Sequence, residues 1–309
     1  MIIIPKISDS LRREYKKDTF KRVKTFLSSV VSDTHYSKII AYLSTNGTLD
    51  DTKIENLLLG EIDSLRSSIQ EIGQITDDNV TIEFERLYKN FTNRKLGGQW
   101  AEKIGVKICP YCNRNYIFTL SNSKVRPQYD HFFPKSLYPY LALSMYNLVP
   151  CCAICNIAKL KFDTYGSSIS EENFFYPFTD AYGKQFTFQI ANGDNINSWL
   201  GIAEEYNLTI ASDPSVSPRL IQKQSLATEK LNLIKLYNKH SDYVRDIVRT
   251  AYVYNEEYFQ SLVASYPVLF SSVSEAKNFV YMNYLDEKDW DKRVLAKLTH
   301  DIIKGCNGE

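Results

Sequence analysis

Four short motifs between residues 109 and 163 decide the fold of this chain: CPYC at 109–112, QYDHFFPKS at 128–136, NLVPCCAICN at 147–156 and LKFD at 160–163. This stretch holds five of the six cysteines of the 309-residue chain and one of its four histidines. Thiolate, imidazole, carboxylate and amide groups are the side chains that bind metal ions in proteins. Their concentration here predicts a segment organised around metal, with the rest of the chain packed about it.

Two Cys-x-x-Cys pairs lie 39 residues apart in this stretch, Cys109 with Cys112 and Cys152 with Cys155. In a reducing compartment such pairs are more often metal ligands than disulfides, although a disulfide or an accidental pair is the alternative. Four thiolates close a tetrahedral shell around Zn²⁺ and leave no position for water, so the predicted site is structural. Cys151 offers a competing thiol, but the Cys-x-x-Cys spacing favours Cys152.

Asp130, His131, Asn147 and Asn156 lie between or beside the cysteine pairs and are not needed in a shell of four thiolates. Hydrolysis of a phosphodiester requires a base that activates water and a cation that stabilises negative charge. Carboxylate and amide oxygens suit Mg²⁺ or Mn²⁺, and a neutral imidazole suits the base. A lone histidine is usually structural, but the company of His131 predicts a second, catalytic site.

The motifs Cys-x-x-Cys, Asp-His-x-x-Pro-x-Ser, Asn-Leu-Val-Pro and Cys-x-x-Cys-Asn-x-x-Lys occur in this order over about 55 residues. In this they resemble the HNH endonucleases that combine a structural zinc ion with a ββα-metal core. The resemblance implies a hairpin whose first strand ends near Asp130 and His131. A loop through Pro134–Tyr146 and a short helix from about Ala153 would follow.

The resemblance also implies a role for each site residue. His131 would be the general base, and Asp130 and Asn156 would bind the catalytic Mg²⁺ or Mn²⁺; Asn156 stands where the family carries Asn or His. Asn147 would support the loop and orient the base, and Lys159, one helical turn beyond Asn156, would face the phosphate. Cys109, Cys112, Cys152 and Cys155 would hold the structural zinc.

The roles of Asp130 and His131 require their side chains to point into one site. Neighbouring side chains in a regular strand point to opposite faces, so Asp130 and His131 share a site only if the backbone is irregular there. We therefore expect an irregularity, such as a bulge, at this pair.

The flanking sequence predicts an α+β protein that is mainly helical, with three regions. Residues 1–95 have the apolar periodicity of helices, and the paired glycines of Leu96–Gly98 mark the boundary. Residues 96–165 form the HNH unit with the Cys₄ zinc site. Residues 166–309 are mostly helical with a small antiparallel strand pair, because Phe186–Ile190 alternates with period two and Tyr206–Ala211 can pair with it.

Positive charge is concentrated near the suspected site, although the whole chain has a net charge of only +1. Ten lysines and arginines stand against three acidic residues between positions 94 and 163. A second cluster lies in the first predicted helix and comprises Arg12, Arg13, Lys16, Lys17, Lys21, Arg22 and Lys24. This cluster is either a solvated helix face or a contact to DNA phosphates, and the sequence leaves both open.

The beginning of the chain, MIIIPKISDS, lacks the features of a secretory signal, and no window approaches eighteen uninterrupted apolar residues, so we expect a cytoplasmic protein. Helical sequence on both sides of such a unit is similar to the HNH nucleases of bacterial anti-phage systems, including PtuB-like nucleases that accompany an ATPase. The chain contains no G-x-x-x-x-G-K-[ST] motif, so an ATPase partner would be another chain.

These patterns predict an endonuclease that hydrolyses DNA, in double-stranded form. Two alternatives remain at this stage. One is a zinc-dependent subunit that binds DNA or protein without catalysis of its own, and the other is a nuclease subunit controlled by an ATPase partner.

Overall fold

A computed structural model of the chain describes residues 2–93, 96–120, 125–165, 173–191, 193 and 195–308. It confirms an α+β protein that is mainly helical, with three two-stranded antiparallel sheets in these ranges. The chain divides into two compact units: unit I comprises Ile3–Val106 and Ile117–Asp180, and unit II comprises Met1–Ile2, Lys107–Tyr116 and Ala181–Glu309. The division into regions 1–95, 96–165 and 166–309 stays a prediction. Among the helices of the described ranges, none has both the length and the apolar character that crossing a membrane requires.

Unit I is built mainly from helices whose ends carry local capping groups. Ser8 begins the first helix by accepting a hydrogen bond from the Leu11 amide, and Gly73 ends the fourth with φ of 76°. The helices of unit I are α1 (Asp9–Ser29), α2 (Ser37–Leu43), α3 (Asp51–Leu59), α4 (Ile62–Ile72), α5 (Asp78–Asn93), α6 (Leu96–Ile104) and α7 (Ala153–Lys159). Strands β1 (Ser44–Thr45) and β2 (Thr48–Leu49) form a hairpin through Asn46 and Gly47, both of which have positive φ.

The paired glycines that predict a boundary lie inside α6 rather than in a linker. The carbonyl of Gly97 accepts the hydroxyl of Tyr129 at 2.5 Å, and a Cβ on Gly97 would lie 3.2 Å from the Cα of Thr92. Glycine therefore serves close packing here, next to the strand that carries Asp130.

Strands β3 (Gln128–His131) and β4 (Leu148–Cys151) form the central antiparallel pair of unit I. The loop between them contains two 3₁₀ turns, Pro139–Leu141 and Met145–Asn147. Helix α7 follows β4 after the single residue Cys152 and contacts β3. The order strand, strand, helix and the positions where β3 ends and α7 begins agree with the sequence expectation.

Unit II places a second strand pair against a C-terminal helix. Strand β5 (Phe186–Ile190) pairs with β6 (Leu208–Ser212), so the predicted pair is confirmed, although the second strand begins two residues and ends one residue later than expected. The Asp301 carboxylate of α14 accepts the Phe188 amide of β5 at 2.9 Å. The helices of unit II are α8 (Ile196–Trp199), α9 (Pro218–Lys230), α10 (Leu233–Tyr237), α11 (Ser241–Val253), α12 (Glu256–Ser265), α13 (Val273–Val280) and α14 (Ala296–Cys306).

Candidate metal centre and candidate active site

The first cysteine pair lies in a tight turn whose amides point at sulfur. The Asn113 amide donates to the Cys109 carbonyl at 2.9 Å, and Asn113 has φ of 50°. The Arg114 amide and the Asn115 side chain then donate to Cys112 Sγ at 3.4 and 3.7 Å. Hydrogen bonds to a ligand sulfur stabilise its thiolate, the form that binds metal.

Asn113 also ties this turn to the segment that begins α14. Its side chain is fully buried, and its Nδ2 donates to the Trp290 carbonyl at 2.8 Å. Its carbonyl accepts the Leu295 amide at 2.6 Å, and its Oδ1 accepts the Lys297 amide at 3.3 Å. Sequence reasoning missed this role; the signal was an asparagine directly after the second cysteine, since Asn tolerates positive φ and bonds backbone on both sides.

The second cysteine pair forms the turn between β4 and α7. Cys152 is the N-cap of α7, and its Sγ accepts the Cys155 amide at 3.5 Å. Asn156 directly follows Cys155, in the first turn of the helix. The position of Asn156 therefore depends on the geometry of this cysteine turn.

The Sγ atoms of Cys109, Cys112, Cys152 and Cys155 all lie within 4.8 Å of one another, and all four residues are buried. Tetrahedral Zn–S bonds of about 2.3 Å separate the sulfurs by about 3.8 Å, so the cluster fits an ion such as zinc. The Cys₄ prediction, including the choice of Cys152 over its neighbour, agrees with this group. Burial, with the nearby Asp130 charge, raises the pKa of the Cys151 thiol well above its ordinary value.

A cavity of about 310 Å³ lies at the end of β3 in unit I. It brings together Asp130, His131 and Asn156, three of the residues predicted to be catalytic. The remaining lining residues are Tyr88, Tyr129, Pro134, Lys135, Ser136, Leu160 and Lys161. Carboxylate, imidazole and amide groups thus share one opening with two lysines.

His131 is held on two sides. Its Nε2 lies 3.1 Å from the Ala142 carbonyl oxygen, and the Tyr88 ring meets its ring edge-on with the centroids 4.6 Å apart. A carbonyl only accepts, so Nε2 carries the proton and the lone pair of the neutral ring is on Nδ1. Burial lowers the pKa of His131 to about 3, although the Ala142 bond opposes the shift. The imidazole is therefore neutral at pH 7, as a general base must be.

Lys159 does not lie where the resemblance predicts it. Its side chain is fully buried, and its Nζ donates to Asp130 Oδ1 at 3.1 Å and to the His131 carbonyl at 2.9 Å. A buried ammonium requires such partners, because an unpaired buried charge is costly. Lys159 thus orients the Asp130 carboxylate instead of facing a phosphate.

The expected irregularity between Asp130 and His131 is absent from the described strand pairing. Asp130 pairs with Val149 and His131 with Leu148 in an unbroken register. Both residues nevertheless line the cavity, because it lies at the end of β3 and His131 is the last residue of that strand. The end of β3 therefore brings Asp130 and His131 to one site without a bulge.

Asn147 pins the loop between the two strands. Its Oδ1 accepts the Phe133 amide at 2.7 Å, and its Nδ2 donates to the Phe133 and Leu141 carbonyls, each at 3.1 Å. Leu141 precedes Ala142, whose carbonyl oxygen accepts the hydrogen bond from His131 Nε2. Asn147 therefore fixes the loop backbone next to the residue that bonds His131.

We expect Asn147→Ala to lower the free energy of unfolding by about 2–4 kcal/mol, because it leaves buried backbone groups without partners. Denaturant unfolding of the purified variant measures this loss. Asn255→Ala is the matched control, since Asn255 caps α12 through one exposed bond to the Tyr258 amide, worth about 1 kcal/mol. Equal losses in the two variants would contradict the loop-pinning role.

Asn156 has a partner that sequence reasoning missed. Its Nδ2 donates to Gln128 Oε1 at 2.7 Å, which leaves the amide oxygen as its acceptor for a cation. Gln128 precedes Asp130 by two residues on β3, so the two side chains share one face of the strand. The same period-two rule, applied to QYDH, could have found it.

Two lysines give the cavity positive charge. Lys135 Nζ lies 2.6 Å from Glu85 Oε1, whereas Lys161 is exposed and forms no ion pair with any residue the structure describes. Lys161, not Lys159, is therefore the cation open to a ligand. Three members of the basic stretch, Arg94, Lys95 and Lys124, lie outside the described residues.

Comparisons of the chain with protein-family models, curated proteins and solved structures found no match. The function of the chain is therefore inferred from the residues of the cavity and of the cysteine cluster.

Proposed function

We propose that this chain is a metal-dependent endonuclease of the HNH type that hydrolyses phosphodiester bonds of DNA, with a place in bacterial anti-phage defence. The observation that carries the proposal is the shared cavity of Asp130, His131 and Asn156, with Lys161 at its edge. Base, cation ligands and phosphate-facing charge are the groups that this hydrolysis requires.

His131 acts as the base in this proposal. Its Nδ1 lone pair accepts a proton from a water molecule as the water oxygen attacks phosphorus. The bond from phosphorus to the 3′ oxygen breaks, and that oxygen takes a proton from solvent water, which leaves 3′-hydroxyl and 5′-phosphate ends. The Ala142 carbonyl supports this chemistry, because its bond to Nε2 stabilises the imidazolium that forms.

The Asp130 carboxylate and the Asn156 amide oxygen are the ligands we assign to the catalytic divalent ion. Oxygen ligands of this kind fit Mg²⁺ or Mn²⁺, which when bound would stabilise negative charge on the departing oxygen. Lys159 and Gln128 hold these two side chains in place through the bonds described above. The Asp130 and Asn156 side chains are thus oriented by neighbouring residues before an ion binds.

The cysteine cluster has a structural role in this proposal. A zinc ion bound there would fix the turn of Cys152 and Cys155, and with it the first turn of α7 that carries Asn156. It would take no part in the chemistry.

Cleavage assays of the purified chain test the proposal directly. Plasmid, linear duplex, single-stranded DNA and tRNA are incubated with and without Mg²⁺ or Mn²⁺, and we expect divalent-dependent cutting of duplex DNA. Binding without any cutting would instead assign the chain to the non-catalytic subunits, and a pull-down that recovers an ATPase would identify the controlling partner.

Lys161→Ala is expected to raise KM for duplex DNA about 10-fold, because it removes one charged contact to phosphate worth about 1.4 kcal/mol. The free energy of unfolding of this variant should not change, since Lys161 is exposed.

Lys159→Met is expected to lower the free energy of unfolding by about 3–5 kcal/mol, because the buried Asp130 carboxylate loses its ammonium partner. Steady-state kinetics and unfolding curves of both variants measure the difference, and an unchanged KM in Lys161→Ala would remove it from the site.

A further inference from the structure

Six of the seven basic residues of α1 divide into two sets by their contacts and spacing, and the seventh, Arg22, is exposed and belongs to neither set. One set attaches α1 to neighbouring segments of unit I through ion pairs and a backbone bond. Its members are Lys16 with Glu55 at 2.5 Å, Lys24 with Asp51 at 2.7 Å, and Arg12, which reaches the Leu59 carbonyl at 3.2 Å and Glu61 at 3.6 Å. The positive charges of Arg12, Lys16 and Lys24 are therefore paired within the protein.

The other set faces solvent. Arg13, Lys17 and Lys21 are exposed, and none of them forms an ion pair with a residue in the described ranges. They are four residues apart, so successive charges lie about 6 Å apart along the helix and the row spans about 12 Å. Glu14, an acidic residue beside the row, is bonded to Lys103. We call these three residues the α1 basic row.

We infer that the α1 basic row binds the phosphate backbone of duplex DNA. A duplex carries about one negative charge per 1.7 Å of its axis, so a row of about 12 Å faces several phosphates at once. Ser10, Thr25 and Ser28, three of the exposed residues near the row, have small polar side chains that permit close approach to a polyanion. Contacts of this kind position a protein on DNA without reading sequence.

The surroundings of the row argue against two other anionic partners. A helix that lies on a membrane buries its apolar face in lipid, but the apolar residues of α1, including Tyr15, Val23 and Leu27, are buried within the protein. A protein interface normally centres on buried aromatic or aliphatic anchors, and the row carries none. Duplex DNA, a polyanion that binds through the charge of its phosphates, is therefore the partner that fits the row best.

This inference deepens the proposed function, and its test is independent of catalysis. The protein carries His131→Ala, and its binding to a labelled DNA duplex is followed by fluorescence anisotropy between about 50 and 200 mM KCl, without added divalent ions. In this background the row is neutralised as Arg13→Gln, Lys17→Gln and Lys21→Gln. Three lost phosphate contacts should make the slope of log K against log[KCl] shallower by about 2.7.

The matched control removes the same net charge elsewhere. Lys184, Lys235 and Lys239 are exposed lysines of unit II without ion pairs among the described residues, and their triple change to Gln should leave the slope within a fraction of one unit. Equal slopes for the parent and the row variant, or equal shifts in both triple variants, would overturn the inference. Loss of binding to phosphatidylserine vesicles with an unchanged DNA slope would assign the row to a lipid surface and also overturn it. If the parent chain never cuts DNA but the row variant alone changes the slope, only the proposed nuclease function fails.

Discussion

His131→Ala is expected to lower the rate of DNA cleavage by about 10²- to 10⁴-fold, the contribution that a positioned general base makes. The substitution removes the only imidazole that lines the described cavity, while the Asp130 carboxylate keeps its bond to Lys159. Single-turnover cleavage of a labelled duplex in Mg²⁺ measures the loss. Metal content and the unfolding curve of the variant show that the fold survives.

His35→Ala is the control for this experiment. His35 is an exposed histidine whose Nδ1 lies 2.5 Å from Asp77, and it lies outside the set of residues that line the cavity. We expect cleavage by this variant to match that of the parent chain. Undiminished cutting by His131→Ala would remove His131 from the mechanism, whereas equal losses in both variants would point to a general effect on the fold.

Cys109→Ser is expected to abolish zinc binding and, through folding, DNA cleavage. Structural zinc bound by thiolates contributes about 10–16 kcal/mol to folding, so a shell with three sulfurs cannot hold the native turn against unfolding. Zinc per chain, measured by inductively coupled plasma mass spectrometry, should fall from one to near zero. Cleavage and cooperative unfolding should be lost with it.

Cys151→Ser tests whether the effect belongs to the cluster. Cys151 is buried and directly precedes Cys152, yet its sulfur is outside the group of four. We expect one zinc ion per chain in this variant and cleavage close to that of the parent chain. A Cys109→Ser protein that loses zinc but cuts normally would separate the metal from the fold of the active site.

The sequence predicts the cysteine cluster and brings Asp130, His131 and Asn156 to one place, because short motifs carry that information. Ligand spacing in Cys-x-x-Cys is a local property, and so is the strand-to-helix order around Asp130 and Asn156. The pairing of Phe186–Ile190 with the later strand is visible for the same reason, since period two is written in the residues themselves.

What the sequence does not predict depends on partners distant along the chain. The resemblance implies that Lys159 faces the phosphate, but its ammonium lies buried against Asp130, 29 residues earlier. The glycines at 97 and 98 suggested a linker, whereas Gly97 is needed for the approach of Tyr129. In both cases tertiary contact overrides a sound local rule.

The bonds of Asn113 have a consequence for the order of events during protein synthesis. The turn that carries the first cysteine pair is secured by the Trp290 carbonyl, which lies 177 residues later in the chain. At a translation rate of about 5–20 residues per second, the ribosome needs roughly 9–35 s to deliver that partner. During this interval the first pair of thiols has been synthesised without the backbone that secures its turn. Completion of the cysteine cluster is therefore a late step in the biogenesis of this protein, set by translation of the segment from Trp290 to the start of α14.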